Sequence, residues 1–386
     1  MPNPTLNPAI LLSPMENGYV AYDPVFDRLH QLNPIAALVV ELCDGSRSIE
    51  SIRELTAPLM PEGRGIEIDR FIDQGLSGGL LMLGADAATH PAELSAEELS
   101  RLAQRLNDSG KVQTAFLCAS KAAELRPTVA ENWYALGSLA YSLGRREDAR
   151  IAYETYLQLR PEDATLEQLM VALRDAAPPP RAPNECIRQI YRRFSANYET
   201  LMREELDYQA PERLRDAITA VMGERHDLAV LDLGCGSGLV GALLKPWTSV
   251  LVGVDLSPEM IALARNRDIY DRLEVSEITE WLGRTEDRFD LIVACECLNY
   301  FGDLHPVISA AARRLNTGGI FGLTAERGDR YPFRLTDTGR YAHHGDHVRD
   351  VAARCGMAVA RMDEGFLRLE YGAEVIGLYA ILRKER

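Results

Sequence analysis

A glycine-rich turn between two apolar runs constrains the fold of this 386-residue chain more than any other feature. The run Val230–Leu233 ends in the turn Gly234–Gly238, and a second run, Leu251–Val254, ends at Asp255. Apolar runs of this length predict buried parallel strands, and the turn predicts a bend into a helix. Glycines let the backbone approach a ligand, and a carboxylate at the second strand's tip can bind both hydroxyls of a ribose. The pattern predicts a nucleoside-binding α/β domain.

The spacing of the glycines distinguishes between two nucleoside cofactors. A dinucleotide site has the pattern G-x-G-x-x-G, and here Leu239 occupies the position of the third glycine. Asp232 precedes the turn, where its charge would repel a pyrophosphate but would suit a ligand that carries an ammonium group. The pattern D-x-G-x-G-x-G resembles motif I of the class I S-adenosylmethionine (SAM) methyltransferases. The resemblance implies a Rossmann-like fold and favours SAM over NAD.

Further segments fit the same family. Phe289–Ala294 predicts the fourth strand of its sheet, and Leu315–Leu323 predicts a helix end, a glycine turn and the fifth strand. Glu277 lies where the family has an acidic residue facing the adenine amino group; a solvated loop residue is the alternative. The candidate cofactor-binding residues are Tyr191, Tyr198, Asp232, Gly234, Cys235, Gly236, Gly238, Asp255, Leu256, Glu277, Ile278 and Ala294.

The same part of the chain resembles a narrower group, the bacterial class I methyltransferases that contain tetratricopeptide (TPR) repeats. The resemblance covers Tyr191–Glu199 and Leu206–Pro211, and it resumes at Arg334–His343. That group usually has Phe-Asp where this chain has Tyr198-Glu199, and Ser where it has His344. The resemblance implies methyl transfer without naming a substrate.

The composition before this region predicts a multidomain chain. The Pro/Ala run Ala176–Pro183 predicts a stiff linker, because consecutive prolines cannot continue a helix. Before it, Leu125-Arg126-Pro127 recurs 34 residues later as Leu159-Arg160-Pro161, and this all-α repeat resembles the TPR. The repeats provide either a peptide-binding groove or a spacer. The predicted domains are residues 1–90, the repeats at 95–175, the linker at 176–185 and the methyltransferase at 186–386.

The first 85 residues predict a small α+β domain. Gly18–Tyr22 and Val25–Leu32 predict strands, and Ile35–Leu42, Ile49–Leu59 and Ile66–Ser77 predict helices. The string LHQLNPIAALVVELCDGSRSIESI…IDRFIDQGLSGGLL resembles the PqqD-like domains, winged-helix recognition elements of ribosomal peptide (RiPP) biosynthesis. The resemblance implies that the leader of a precursor peptide adds as a strand; a purely structural domain is the alternative. The implied groove residues are Phe26, Arg28, His30, Gln31, Asp69, Arg70, Ile72 and Asp73.

The segment from Arg327 to His347 predicts where the methyl acceptor binds. It holds four Arg and three His in a chain of formal net charge −15, which predicts a local anion pocket; a solvated loop is the alternative. We expect Arg334, Arg340, Tyr341 and His343 to orient the acceptor. A carboxylate acceptor needs no base, so we expect carboxyl O-methylation, with N-methylation next. An amine or hydroxyl would need a base, such as His343, His344 or Glu296.

The composition excludes several function classes. The acidic charge and the absence of a basic stripe argue against nucleic acid as a partner. No apolar run reaches the roughly 18 residues of a membrane span, and the first residues do not resemble a signal peptide. Seven scattered cysteines fit neither a metal site nor a disulfide framework, so we expect no metal and a reducing cytoplasm. The sequence leaves the oligomeric state open.

Three functions are compatible with these features. The first is SAM-dependent tailoring of a precursor peptide whose leader binds residues 1–85. The second is O- or N-methylation of a small molecule, with the N-terminal domains serving oligomerisation or scaffolding. The third is a non-catalytic SAM-binding adaptor, against which the complete motif I and Asp255 argue.

Overall fold

The computed structural model describes residues 3–15, 18–56, 65–84, 94–174, 176–370 and 372–385. The chain folds into two compact units, Met1–Pro161 and Glu162–Arg386. The end of the helix predicted over Ile49–Leu59 and the domain boundary predicted at residue 90 lie outside the described residues. No described helix is long and apolar enough to cross a membrane.

The first unit begins with two small antiparallel sheets and three helices. Its strands are β1 (Pro4–Leu6), β2 (Leu11–Met15), β3 (Gly18–Asp23), β4 (Arg28–Leu32) and β5 (Leu81–Leu83). Its helices are α1 (Pro34–Leu42), α2 (Ile49–Thr56) and α3 (Gly65–Gly78). One sheet has the order β2-β3-β4, and β1 pairs with β5 in the other. The apolar sides of the helices pack with β3 and β4 around Ala21, Val40 and Ile52.

Two details differ from the predicted groove. The strand predicted from Val25 begins only at Arg28, because Asp23 Oδ1 accepts the backbone N–H groups of Val25 and Phe26 and holds them in a turn. Phe26 therefore lies in the turn and not on the strand. Ile72 is 1% exposed and packs in the core, so it is not a groove residue.

Four helices complete the first unit as two antiparallel hairpins. They are α4 (Ala96–Asp108), α5 (Val112–Leu125), α6 (Ala130–Ser142) and α7 (Arg146–Leu159). The starts of α4 and α6, and those of α5 and α7, are 34 residues apart, so the predicted repeat is confirmed. Gly137 allows α6 and α7 to pack closely, because a Cβ there would lie 2.5 Å from the Tyr153 ring.

The second unit is an α/β structure. Its helices are α8 (Ala164–Leu173), α9 (Asn184–Phe194), α10 (Tyr198–Thr200), α11 (Ala210–Met222), α12 (Leu239–Leu244), α13 (Pro258–Arg265), α14 (Ile278–Arg284), α15 (His305–Arg314) and α16 (Gly345–Arg354). Its strands are β6 (Leu228–Leu233), β7 (Thr248–Asp255), β8 (Arg272–Val275), β9 (Phe289–Ala294), β10 (Leu315–Arg327), β11 (Phe333–Leu335), β12 (Tyr341–His343), β13 (Met357–Glu370) and β14 (Ala373–Lys384).

The sheet of the second unit is doubly wound. Its main order is β8-β7-β6-β9-β10-β14-β13, in which β14 runs antiparallel to both neighbours and β6 to β10 are parallel. Leu231 packs in the core on one face, while Val230 packs on the other, so the sheet is buried on both sides. Because the strand order reverses between β6 and β9, a ligand site is expected at their carboxyl ends.

The predicted fourth strand has the bounds of β9. The predicted helix end and glycine turn at Leu315–Leu323 instead belong to β10, which pairs irregularly with β9 between Leu315 and Ile320. Helix α8, which the sequence groups with the repeats, belongs to the second compact unit.

Candidate active site

A cavity opens at the carboxyl ends of β6, β7 and β9, where the sheet reverses. Its volume is about 820 Å³, including the solvent in its open mouth. The structure brings ten of the sequence-predicted residues to its wall. They are Tyr191, Tyr198, Gly234, Gly236, Asp255, Leu256, Glu277, Ile278, Glu296 and Arg340.

The turn after β6 requires glycine at its first position. Gly234 has a φ of +66°, and a Cβ there would lie 2.4 Å from Cys297 Cβ. The backbone N–H groups of Gly234 and Cys235 donate to Val254 O at 2.8 and 3.1 Å, which ties the turn to the neighbouring strand. The absence of a side chain leaves this part of the cavity open for a ligand.

Backbone hydrogen bonds hold the Asp255 carboxylate at the end of β7. Its Oδ2 accepts the Gly236 N–H at 2.9 Å, and its Oδ1 accepts the Ser257 N–H at 2.8 Å. Burial raises the pKa of Asp255, and the two N–H groups oppose that shift. Each oxygen keeps a further lone pair, so the carboxylate can accept two ribose hydroxyls.

Glu277 caps helix α14 through one carboxylate oxygen, while the other accepts no hydrogen bond from the described residues. Its Oε2 accepts the Glu280 N–H at 2.9 Å and the hydroxyl of Thr279. Its Oε1 lies 3.0 Å from Arg181 Nη1 but accepts no aligned hydrogen bond from the described residues. Because Glu277 is 4% exposed, the alternative of a solvated loop residue is wrong. The unused buried oxygen fits a ligand that donates a proton, such as an adenine amino group.

Four predicted cofactor residues lie behind the cavity wall: Asp232, Cys235, Gly238 and Ala294. Asp232 Oδ2 accepts the Tyr270 hydroxyl at 2.7 Å, and burial raises the pKa of Asp232 to about 7. Asp232 therefore does not face an ammonium group as the sequence predicted. It supports the turn from behind, because Tyr270 also packs against the Gly238 and Gly241 backbones.

The other end of the cavity holds Glu296, the residue that follows Cys295 beyond β9. Its φ is +54°, which is unusual for a residue with a side chain, and its N–H donates to Thr324 Oγ1 at 2.7 Å. Oε2 pairs with Arg368, whereas Oε1 is buried and accepts no hydrogen bond from the described residues. Burial raises the pKa of Glu296, while Arg368 opposes the shift.

Arg368 organises a buried charge network at this end. In addition to Glu296, it pairs with Glu326 at 2.6 Å and with Glu370 at 3.3 Å. Glu370 also pairs with Arg340, the one predicted acceptor residue that lines the cavity. Arg368 is not among the residues that the sequence predicts for the site, although its alternation with apolar residues in β13 indicates a charged side chain near the sheet.

The predicted anion pocket is not assembled. Arg334 is 48% exposed and pairs with Asp329, and the Tyr341 hydroxyl donates to Pro179 O. His343 is fully buried, where its Nε2 bonds to Gly302 O and desolvation lowers its pKa to about 4. Both Tyr341 and His343 are buried because β12 pairs with β10 and extends the sheet.

Of the three candidate bases, only Glu296 lines the cavity. His343 is enclosed beside His347, and His344 caps helix α16 by accepting the Asp346 N–H. No group of three or more described His, Cys, Asp or Glu residues has a geometry that could hold a metal ion.

Two family models match the chain. Residues 230–319 match the methyltransferase domain, and residues 130–163 match the tetratricopeptide repeat. A ubiquinone biosynthesis O-methyltransferase of Coxiella burnetii is 30% identical over 126 residues, which cover 29% of this chain and 54% of the relative. A ubiquinone biosynthesis O-methyltransferase of Xanthomonas oryzae pv. oryzae is 27% identical over 165 residues, which cover 37% of this chain and 69% of the relative. The chain thus spans about half the length of the first relative.

Two solved structures are similar to the chain. Magnesium protoporphyrin IX methyltransferase from Synechocystis PCC 6803 with bound S-adenosylhomocysteine (SAH) has 15% identity, a TM-score of 0.40 and coverage of 52% of this chain and 99% of that one. Burkholderia thailandensis 1,6-didemethyltoxoflavin-N1-methyltransferase has 20% identity and a TM-score of 0.43. The match covers 55% of this chain and 94% of that one. The family match over residues 230–319, together with a glycine turn and buried carboxylates that fit the nucleoside, identifies this part of the chain as a SAM-dependent methyltransferase.

Proposed function

We propose that this chain methylates a hydroxyl oxygen of its acceptor, with Glu296 as the general base. The observation that carries the proposal is Glu296 Oε1, which is buried at the cavity wall and accepts no hydrogen bond from the described residues. A hydroxyl loses its proton when it becomes an ether, so it needs a base within hydrogen-bond reach. Arg368 leaves Oε1 available for that proton because it holds Oε2.

Bound SAM supplies a methyl group on a positively charged sulfur. With SAM held by Asp255 and Glu277, a bond would form from the acceptor oxygen to the methyl carbon as the carbon–sulfur bond breaks, and SAH would be the second product. The acceptor proton passes to Glu296 Oε1. The raised pKa of Glu296 makes it a stronger base than an exposed carboxylate. The hydrogen bond from the Glu296 N–H to Thr324 Oγ1 fixes the backbone of this residue at the cavity wall.

The charge network gives little support to a carboxylate acceptor. Arg368 already pairs with Glu296 and Glu326, and Arg340 already pairs with Glu370. An anionic acceptor would have to displace one of these carboxylates, because three of them share two guanidinium groups. Carboxyl O-methylation was expected from a basic cluster that the structure does not assemble. The relatives, which are named O-methyltransferases, support oxygen as the methylated atom.

The experiment compares three acceptors that differ in one group. The full chain is incubated with methyl-tritiated SAM and with catechol, benzoate or aniline, and each product is then treated with alkali. We expect labelled catechol whose label survives alkali, because an ether is stable and a methyl ester is not. Alkali-released tritiated methanol from benzoate would overturn the proposal in favour of a carboxylate. Preferential labelling of aniline, or of none of the three, would also count against it.

We also propose, from a different observation, that a peptide docks on the first unit. Strand β4 is an edge of the described three-stranded sheet, and its Leu29 is 46% exposed. An edge strand presents backbone N–H and C=O groups on the side that has no neighbouring strand. Such an edge can accept an extended peptide as a further strand, as the leader of a precursor peptide would do. The methylated hydroxyl would then belong to the tethered peptide, at a raised effective concentration.

A library of displayed linear dodecapeptides tests this second proposal. Selected peptides should bind the full chain with an affinity near micromolar, on the order of −8 kcal/mol. Leu29→Lys should abolish the binding, whereas Leu55→Lys, an equally exposed change on α2, should not. Failure to select any peptide, or equal loss with both variants, would refute docking on β4.

A further inference from the structure

Residues 178–183, which lie within the linker predicted at 176–185, form a strap that is fixed to the methyltransferase unit. Ala182 within it is fully buried. The bonds that fix the strap are Gly302 N and Asp303 N to Pro180 O at 2.8 and 2.9 Å, Ala182 N to Tyr300 O at 2.8 Å, and Tyr341 Oη to Pro179 O at 2.8 Å. The strap therefore forms part of the structure around the loop that follows β9.

Arg181 is the strap residue that lines the cavity. Its guanidinium lies over the Phe301 ring at 5.0 Å from the centroid, and it bonds to Asn184 Oδ1. Nη1 lies 3.0 Å from Glu277 Oε1. Arg181, Phe301 and Glu277 all line the cavity. The aromatic ring and the carboxylate thus restrict where the guanidinium can lie.

Two buried polar atoms of this pair have unfilled hydrogen-bonding capacity among the described residues. Glu277 Oε1 and Arg181 Nε make no hydrogen bond with the described residues, because the ion pair between the side chains is not aligned as one. One acceptor and one donor are thus available near each other at the wall. An adenine edge presents the complementary pair, an amino donor beside a ring-nitrogen acceptor.

We infer that Arg181 is a positioning residue for the cofactor's adenine. It fixes Glu277 so that Oε1 receives the amino group, and the strap thereby becomes part of the cofactor site. The inference rests on SAM as the cofactor, which the matched methyltransferase domain supports. It adds a residue from outside the matched segment 230–319 to the recognition of the nucleoside.

Calorimetry with two product analogues tests the inference. SAH carries the adenine amino group, and S-inosylhomocysteine has a carbonyl oxygen in its place. Arg181→Ala should weaken SAH binding about ten-fold, because Glu277 loses the guanidinium that fixes its position, and should change S-inosylhomocysteine binding by less than about two-fold. The preference for SAH should therefore collapse. Arg181→Lys should restore part of it by keeping the charge.

Controls separate this role from a structural one. Arg313→Ala removes an exposed guanidinium on α15 that donates to Ser309 Oγ of the same helix and does not line the cavity, so it should leave both affinities unchanged. If Arg181→Ala fails to fold, Glu277→Gln is the second variant that tests the inference. It keeps the shape of the side chain and should reduce the same preference for SAH. Equal weakening of both ligands, or no weakening of SAH, would overturn the inference. Failure of the unmodified chain to bind SAH would instead contradict the cofactor site itself.

Discussion

The two ends of the cavity are built in different ways. At the cofactor end, backbone N–H groups of Gly236 and Ser257 hold the Asp255 carboxylate. At the acceptor end, side chains hold one another: Glu296 pairs with Arg368, which lies 72 residues later in the chain. A backbone-held group follows from local chain geometry, whereas a group held by a distant side chain depends on the completed fold. The two ends should therefore respond differently to substitution.

The largest effect is expected at Glu296. Glu296→Gln keeps the shape of the side chain but removes the base, so turnover should fall about 10²- to 10⁴-fold. SAM affinity, measured by calorimetry, should change little. Because the pKa of Glu296 is raised, turnover of the unmodified enzyme should decline on acidification at a pH above the ordinary carboxyl value of 4.5. A Gln variant that retains both full turnover and this acid limb would show that another group accepts the proton.

The next effect tests the cofactor end. Asp255→Ala removes the acceptor for two ribose hydroxyls, so SAM affinity should fall by about 2–4 kcal/mol. In Asp255→Ala the Gly236 and Ser257 N–H groups also lose their acceptor. Asp255→Asn keeps one oxygen and should therefore lose less SAM affinity than Asp255→Ala. Calorimetry on both variants measures the difference. SAM affinity close to that of the unmodified protein in Asp255→Ala would mean that the cofactor lies elsewhere.

The same contrast explains which features the sequence could predict. The strand Phe289–Ala294 and the turn at Gly234 were predicted because apolar runs and glycine spacing are local patterns. Arg181 and Arg368 were missed because each acts on a carboxylate that is distant in the chain. The cluster from Arg327 to His347 was misinterpreted for the same reason: sequence neighbours were assumed to share a pocket, but strand pairing separates them.

A smaller effect is expected for Arg340. Of the four residues predicted to orient the acceptor, it is the one that lines the cavity. Arg340→Ala should lower kcat/KM about ten-fold, because Glu370 loses its partner next to Arg368, and SAM affinity should be retained. Arg334→Ala is the matched control, because Arg334 is exposed and pairs with Asp329 at the surface. Equal loss of activity in both variants would support the predicted anion pocket, in which Arg334 and Arg340 act together.

The smallest effect on ligand binding is expected at Asp232, which the sequence placed in the cofactor site and the structure places behind it. Asn can still accept the Tyr270 hydroxyl, so Asp232→Asn should weaken SAM binding less than about three-fold. A loss of SAM affinity as large as that of Asp255→Ala would mean that Asp232 contacts the cofactor after all.

The pH dependence of stability gives a second measurement on the same variant. The pKa of Asp232 is about 7 in the folded protein, above its ordinary value of 3.8, so folding retains a proton that the unfolded chain releases. That contribution to stability is complete below pH 3.8 and is lost as the pH rises through 7. Asn has no proton to lose, so the Tm of Asp232→Asn should rise relative to that of the unmodified protein between about pH 5 and about pH 8. The opposite trend would mean that the ionised carboxylate is the form stabilised in the fold, and that a cation lies close to it.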